Sequence, residues 1–368
     1  MPASIYEPFY LILITILTFV IMKKYATWGY TRFIRHNYSN VSSSFVLTFF
    51  LIIFIGFRPL DGRYFVDMTG YNMVYYWNHY NARFYLNWNS ENFIFDNLFS
   101  WMGSMKIDII WFFLLIAAIY FFCIFISCRK IFPRDTYLAL VVYLAAFSTF
   151  SFGTNGIKAG AAASIYLVAL GYYCQNNKIM AVFFLWLSLG FHHSMLAPIV
   201  AFVIAHFYKN PKTYLYGWFF CLLLAALHVT FFMRFFSGYT DDHGAGYLQD
   251  GTNNAKLYVS GFRPDFYLYS AVPIFIGYYI IVKKKVKSNR YHFLWCTYTL
   301  TNCVFLLCTY GTFINRIAYL SWLMLPFVLL YPFINIIWSN LQKQYLKYVV
   351  YGHLGFTLLM YFYYIFIR

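Results

Sequence analysis

Ile107 to Asp135 reads IDIIWFFLLIAAIYFFCIFISCRKIFPRD. A single charge, Asp108, stands at the head of a continuous apolar run that ends at Ser127, and Arg129, Lys130 and Arg134 follow at once. A helix rising 1.5 Å per residue needs about 20 apolar residues to cross the hydrocarbon of a bilayer. The run has that length, and it is continuously apolar rather than alternating, which specifies a helix and not a barrel strand. Lys and Arg packed into the short segment after it mark its cytoplasmic end.

The same pattern recurs on both sides. Apolar runs lie at about 5–22, 41–57, 136–152, 155–174, 178–207, 213–233, 265–282, 291–310, 313–336 and 346–367. Across the 368 residues 62% are hydrophobic and 10% charged, where a soluble domain carries roughly 25% charged residues. The first run is preceded by Met1–Pro8, which has no Lys or Arg, and followed by Lys23-Lys24, the reverse of a secretion leader's charge order. It is therefore expected to remain as a span. Seven cysteines lie in or beside the apolar runs with no CxxC pair, so they read as packing residues. The many Phe and Tyr side chains are not by themselves sugar platforms.

Three basic clusters set the sides: Lys23, Lys24, Arg32 and Arg35; Arg129, Lys130 and Arg134; and Lys283, Lys284, Lys285, Lys287 and Arg290. All are expected to be cytoplasmic, so an even number of crossings must separate Arg134 from Lys283. Only five runs lie between them. The longest, 178–207, is interrupted by Gly190-Phe191-His192-His193-Ser194 and then Pro198, and a break there restores the parity. Both termini then face outward. Of the 27 Lys and Arg, seventeen fall inside with one acid, Asp135, and ten fall outside with ten acids. The whole net charge of +16 is thereby a topology signal, and nucleic acid is not needed to explain it.

The expected fold is an all-α polytopic integral membrane protein with about 11–12 transmembrane segments, a single transmembrane helical domain over 1–368. Two long extracytoplasmic loops, 58–106 and 234–264, are too long for simple connectors. The first, rich in Trp, Tyr and Phe (Trp77, Trp88, Trp101), is expected to form short interfacial helices. The second, with Asp241-Asp242-His243 and Asn253-Asn254, reads as a solvated, mobile segment.

Ionisable groups gather at the outer ends of the spans. Arg58, Arg63 and Asp67 stand with Tyr71 at the start of the first loop, and Lys158 follows Gly153-Thr154-Asn155-Gly156. His192 and His193 sit at the proposed break, Arg234 and Arg263 bracket the second loop, and Arg316 opens the run to Tyr319. Charges at membrane depth usually face a protein interior or a wet cavity. Basic groups there suit a diphosphate, and a nearby histidine suits removal of a hydroxyl proton near neutral pH. The bland alternatives are snorkelling for Arg58, Arg63, Lys158 and Arg316, a cap or ion-pair role for Asp67, and a structural break for the histidine pair. His36, His206, His228, His292 and His353 have no evident partners in the sequence. No Gly-rich phosphate loop, HExxH or GxSxG occurs, so an activated substrate or an ion gradient is the expected energy source.

In order and spacing, Arg58…Gly62…Asp67…Tyr71, Asn155-Gly156-Ile157-Lys158-Ala159-Gly160, Phe191-His192-His193-Ser194-Met195-Leu196 and Asn315-Arg316…Tyr319…Pro326 resemble the EpsG/Wzy family of polysaccharide polymerases. The family commonly has Arg-Gln where this chain has Lys158-Ala159, which keeps the charge but loses the bidentate fork. The resemblance implies a glycosyltransferase acting at the extracytoplasmic face of the bacterial inner membrane. Its substrate would be an undecaprenyl-diphosphate-linked oligosaccharide, and it would need no cofactor and no metal. Its surroundings would be membrane lipids, with a chain-length regulator as a further partner and no nucleic acid. It assigns Arg58, Lys158, Arg263 and Arg316 to diphosphate binding, Arg63, Asp67, Tyr71 and Tyr319 to the surrounding site, and His192 or His193 to the base. Three rival readings remain open. A polyprenyl-monophosphate-dependent transferase would place Asp61 or Asp67 as its essential acid. An O-antigen ligase would share the donor. A flippase or transporter of lipid-linked glycans belongs to another class.

Overall fold

A computed structural model describes residues 1–27, 41–81, 83–237, 246, 248–249 and 261–366. Among them there is no β-strand, and helices account for nearly all regular structure. Six are long and apolar enough to cross a membrane: Ala3–Tyr25, Ile109–Ile131, Ile157–Cys174, Pro264–Lys283, Ile314–Ile334 and Gln342–Phe366. Val41–Gly56, Lys178–Phe191 and His193–Phe207 are shorter apolar helices. The all-α polytopic membrane fold is thus what the chain adopts. Asp241-Asp242-His243, Asn253-Asn254 and His36 lie outside the described residues.

The chain falls into two compact units. The first is Met1–His192 with Lys343–Arg368, and the second is His193–Gln342. In the first unit the helices are α1 (Tyr6–Thr27), α2 (Val41–Gly56), α3 (Val66–Asn81), α4 (Phe93–Ser104), α5 (Ile109–Ile131), α6 (Thr136–Leu144), α7 (Thr149–Thr154), α8 (Ile157–Cys174) and α9 (Lys178–Phe191). In the second they are α10 (Leu196–Phe207), α11 (Pro211–Ala226), α12 (Phe231–Ser237), α13 (Pro264–Tyr278), α14 (Asn289–Leu307), α15 (Ile314–Trp322) and α16 (Leu325–Ile334). The last helix, α17 (Gln342–Phe366), returns to the first unit.

The centre of the first unit is α8, packed between α5 and α9. Its Gly160-Ala161-Ala162-Ala163 stretch is buried, because small side chains let neighbouring backbones approach where apolar burial alone gives no driving force. Ser188 of α9 donates a 2.7 Å hydrogen bond to the Ala162 carbonyl. Gly160 tolerates no side chain, since a Cβ there would stand 2.2 Å from the Phe152 carbonyl oxygen. At the far end of the sequence, α17 closes the same unit. His353 lies 3.2 Å from the Val142 carbonyl, and the Thr357 hydroxyl donates to the Ala145 carbonyl at 2.7 Å. In the second unit α14 is the central helix, packed by α10, α11 and α15. Trp218 and Ser321 meet at Asn302 of α14, whose Oδ1 accepts from the indole at 2.8 Å while its Nδ2 donates to Ser321 at 2.9 Å.

The run 178–207 breaks where the sequence indicates. The α9 helix stops at Phe191, His192 is extended (φ −155°, ψ 125°), and a single 3-10 turn, His193–Met195, leads into α10. Pro198 sits in the first turn of α10, where its missing N–H costs no hydrogen bond. The first loop forms two helices, α3 and α4, as its aromatic pattern predicts, with Trp77 and Trp88 largely exposed.

Two apolar runs read as single crossings are interrupted instead. In 136–152 the Thr149 hydroxyl donates to the Tyr143 carbonyl at 2.8 Å, giving the backbone an alternative to the helix. In 213–233 helix α11 ends in a Schellman motif: Val229 N–H bonds Leu224 O, and His228 N–H bonds Ala225 O. His228 takes the left-handed conformation (φ 57°) usually left to glycine, and its ring stacks 3.7 Å from that of Tyr310.

Candidate functional site

The short α7–α8 junction organises the first unit's polar groups. The Thr149 hydroxyl bonds the Tyr143 carbonyl at the start of α7, and the Asn155 and Gly156 N–H groups both bond the Ser151 carbonyl as the chain turns into α8. Lys158 therefore stands in the first turn of α8. Its Nζ lies 2.9 Å from Asp96 Oδ1 on α4, with the two side chains 22% and 38% exposed. Ser90 donates to the other oxygen, Asp96 Oδ2, at 2.6 Å. The pair is fixed but reachable, so a stronger anion arriving at Lys158 competes with Asp96 for it.

Phe95, next to Asp96, is the hub of this site. Its ring stands 5.0 Å from Lys158 Nζ, 6.0 Å from the ring of Tyr71 on α3 and 6.3 Å from that of Phe191 at the end of α9. The absence of a Cβ at Gly190 is what lets α4 come this close, since a side chain there would collide with Ile94. Tyr71, Lys158 and the residue before His192 are thereby gathered around one aromatic ring. Nearby, Asn155 Oδ1 is buried with no hydrogen-bond partner among the described residues.

Arg58 is different. It is 1% exposed and donates from Nη1 to Ile55 O and from Nη2 to Thr154 O, each at 2.8 Å. Its guanidinium stands 5.0 Å from the ring of Phe113 and 5.8 Å from that of Phe65. Burial pushes the group down from its ordinary value to about 9, with Tyr6 beside it working the other way, so it stays charged at neutral pH. Through these bonds Arg58 ties the end of α2 to the end of α7. Arg63 is exposed, with its guanidinium 5.6 Å from the Tyr64 ring and its backbone N–H bonded to Asp61 Oδ1 at 2.9 Å. Asp67 lies half-buried in the first turn of α3.

The remaining candidates belong to the second unit. Arg263 caps α13 and pairs through Nε and Nη2 with both oxygens of Asp265, the first at 2.9 Å. Arg316 is half-buried in α15, 5.3 Å from the Phe313 ring, beside an Asn315 Oδ1 that is buried without a partner among the described residues. Tyr319 is buried, 1% exposed. The chain passes from one unit to the other between His192 and His193, both half-buried. No group of three His, Cys, Asp or Glu among the described residues is placed to hold a metal.

Asp96 is the site residue that sequence reading missed. It was counted only in the charge balance of the outer segments, and its partner lies 62 residues away. A weak signal existed in Phe93-Ile94-Phe95-Asp96, where one acid interrupts an apolar stretch of a short helix.

The described residues make a many-spanning helical membrane protein with a reachable cation, Lys158, at the head of an interrupted helix. The family model described as the EpsG family matches residues 41–368, nearly the whole chain. The chain belongs to the EpsG family, and is a polysaccharide-polymerase-type membrane protein. No curated protein and no solved structure matches it.

Proposed function

We propose that the protein is a polysaccharide polymerase. It moves a growing glycan from undecaprenyl diphosphate onto a lipid-linked repeat unit at the extracytoplasmic face of the bacterial inner membrane. The observation that carries this is the Lys158–Asp96 pair at the head of α8, held against Phe95 beside the break at His192. The donor's diphosphate displaces Asp96 and is neutralised by the Lys158 ammonium, with Tyr71 and Phe95 offering aromatic surface to the sugar next to it. The acceptor hydroxyl oxygen bonds to the donor's anomeric carbon. The bond from that carbon to the diphosphate oxygen breaks, and its electron pair leaves with the lipid diphosphate. His192 or His193 takes the hydroxyl proton. Asp67 is a further catalytic candidate and Arg63, Arg263 and Arg316 serve substrate binding in the same reading, and a chain-length regulator is an expected partner.

The test is elongation of purified lipid-linked repeat units by the full-length protein in proteoliposomes, read as a ladder of products. His192→Ala or His193→Ala, whichever removes the base, lowers the rate by about 10²–10⁴-fold. Wild-type rates in both variants would remove histidine from the mechanism. Movement of the lipid-linked unit across the bilayer without any new glycosidic bond would assign the protein to transport instead.

A further inference from the structure

At the end of the first unit where α1 begins and α17 finishes, a cavity of about 110 Å³ is lined by Glu7, Tyr10, Phe147, Phe150, Tyr361 and Tyr364. Glu7 stands in the first turn of α1 and is exposed, so the cavity is open to entry. Among the described residues its carboxylate has neither a hydrogen bond nor an ion pair. The nearby donors are already committed: the Tyr10 hydroxyl donates to the Leu144 carbonyl at 2.7 Å, and the Thr357 hydroxyl to Ala145 O at 2.7 Å. The rings are packed into a wall. Tyr10 and Phe150 lie 5.1 Å apart, and Phe147 and Tyr364 lie parallel at 6.3 Å.

We propose that this cavity is a binding site for an alkylammonium group, with Glu7 as counter-ion and the surrounding aromatic faces as its cage. One carboxylate facing open space attracts a cation, and aromatic faces favour a soft, alkylated one over a strongly hydrated metal ion. A divalent metal wants several oxygen ligands, and a single carboxylate offers two at most. The volume holds an ammonium head with its first carbons and excludes an oligosaccharide. The ligand's source is either a zwitterionic lipid headgroup, entering from the bilayer, or a free amine. The site is independent of the proposed transferase chemistry, since it shares no residue with Lys158, Asp96 or the histidines.

The test uses the full-length protein in a neutral maltoside detergent, with thermal unfolding followed by tryptophan fluorescence. Tetramethylammonium, ethanolamine and lyso-phosphatidylethanolamine are titrated separately against sodium chloride at equal ionic strength. A saturable rise in Tm with the ammonium probes but not with sodium is expected. Glu7→Gln, which keeps the side chain's shape, weakens the apparent affinity by about tenfold or more. Phe147→Leu weakens it by about threefold and guards against a Glu7 variant that fails to fold. Saturation by the lysolipid at a far lower concentration than by ethanolamine identifies the headgroup as ligand, and equal concentrations identify a free amine. Absence of a saturable shift in the wild-type protein, or equal affinity in well-folded Glu7→Gln, overturns the proposal.

Discussion

Arg58 after α2 and Lys158 at the head of α8 each bring one positive charge to the same short junction, and they treat it in opposite ways. Arg58 is sealed among aromatic rings and solvated by two backbone carbonyls, one of them from Thr154 at the end of α7. Lys158, four residues further on, keeps a carboxylate partner and remains accessible. A neutral carbonyl solvates a cation without cancelling its charge, and nothing exchanges with it while it is buried. A carboxylate cancels the charge and can be displaced by a stronger anion. One cation is therefore built into the architecture and the other is left accessible, although in sequence both are lone basic residues at the outer ends of spans.

Arg58→Ala should separate the two most sharply. It leaves the Thr154 carbonyl without its guanidinium donor and the Ile55 carbonyl with only the backbone N–H of residue 58, and with the lost packing this costs about 2–4 kcal/mol, which thermal unfolding in detergent would read. A wild-type Tm in that variant would end the distinction. Lys158→Ala should do the reverse. Stability changes by less than about 1 kcal/mol, because the lost ion pair is partly solvated. Polymerisation falls by about 10²–10³-fold, as expected when a stabiliser of the leaving group is removed.

Gly160→Ala probes the junction that both cations share. A methyl group there collides with the Phe152 carbonyl, pushes α7 from α8 and costs about 1–3 kcal/mol, with Tm and activity falling together. The smallest effect is expected from Asp96→Asn. Removing the competing charge frees Lys158 for the donor but loosens its aim, so KM and kcat both fall by about two- to tenfold. An unchanged KM would show that Asp96 does not compete with the donor.

How much of this was legible depended on how local each feature is. The membrane class rests on apolar runs and loop charges, and the break near His192 rests on Gly190, the histidine pair and Pro198 within nine residues. Both could be read directly. The fate of each cation could not. Periodicity says nothing about which face is buried when a helix is apolar all round, so Arg58 and Tyr319 looked as available as Lys158. Asp96 was invisible as a partner because helices far apart in sequence bring it to α8. Arg263 is the intermediate case. Its partner Asp265 lies two residues away across Pro264 at the start of α13, so an intra-segment pair was readable there.

The return of α17 to the first unit sets a clock on biosynthesis. Residues 193–342 leave the ribosome before the helix that carries His353 and Thr357, and at ~5–20 residues per second that interval lasts about 8–30 s. Throughout it, the Val142 and Ala145 carbonyls lack the side chains that will satisfy them. A nascent chain stalled before Lys343 thus exposes its defect some 200 residues upstream of the stall.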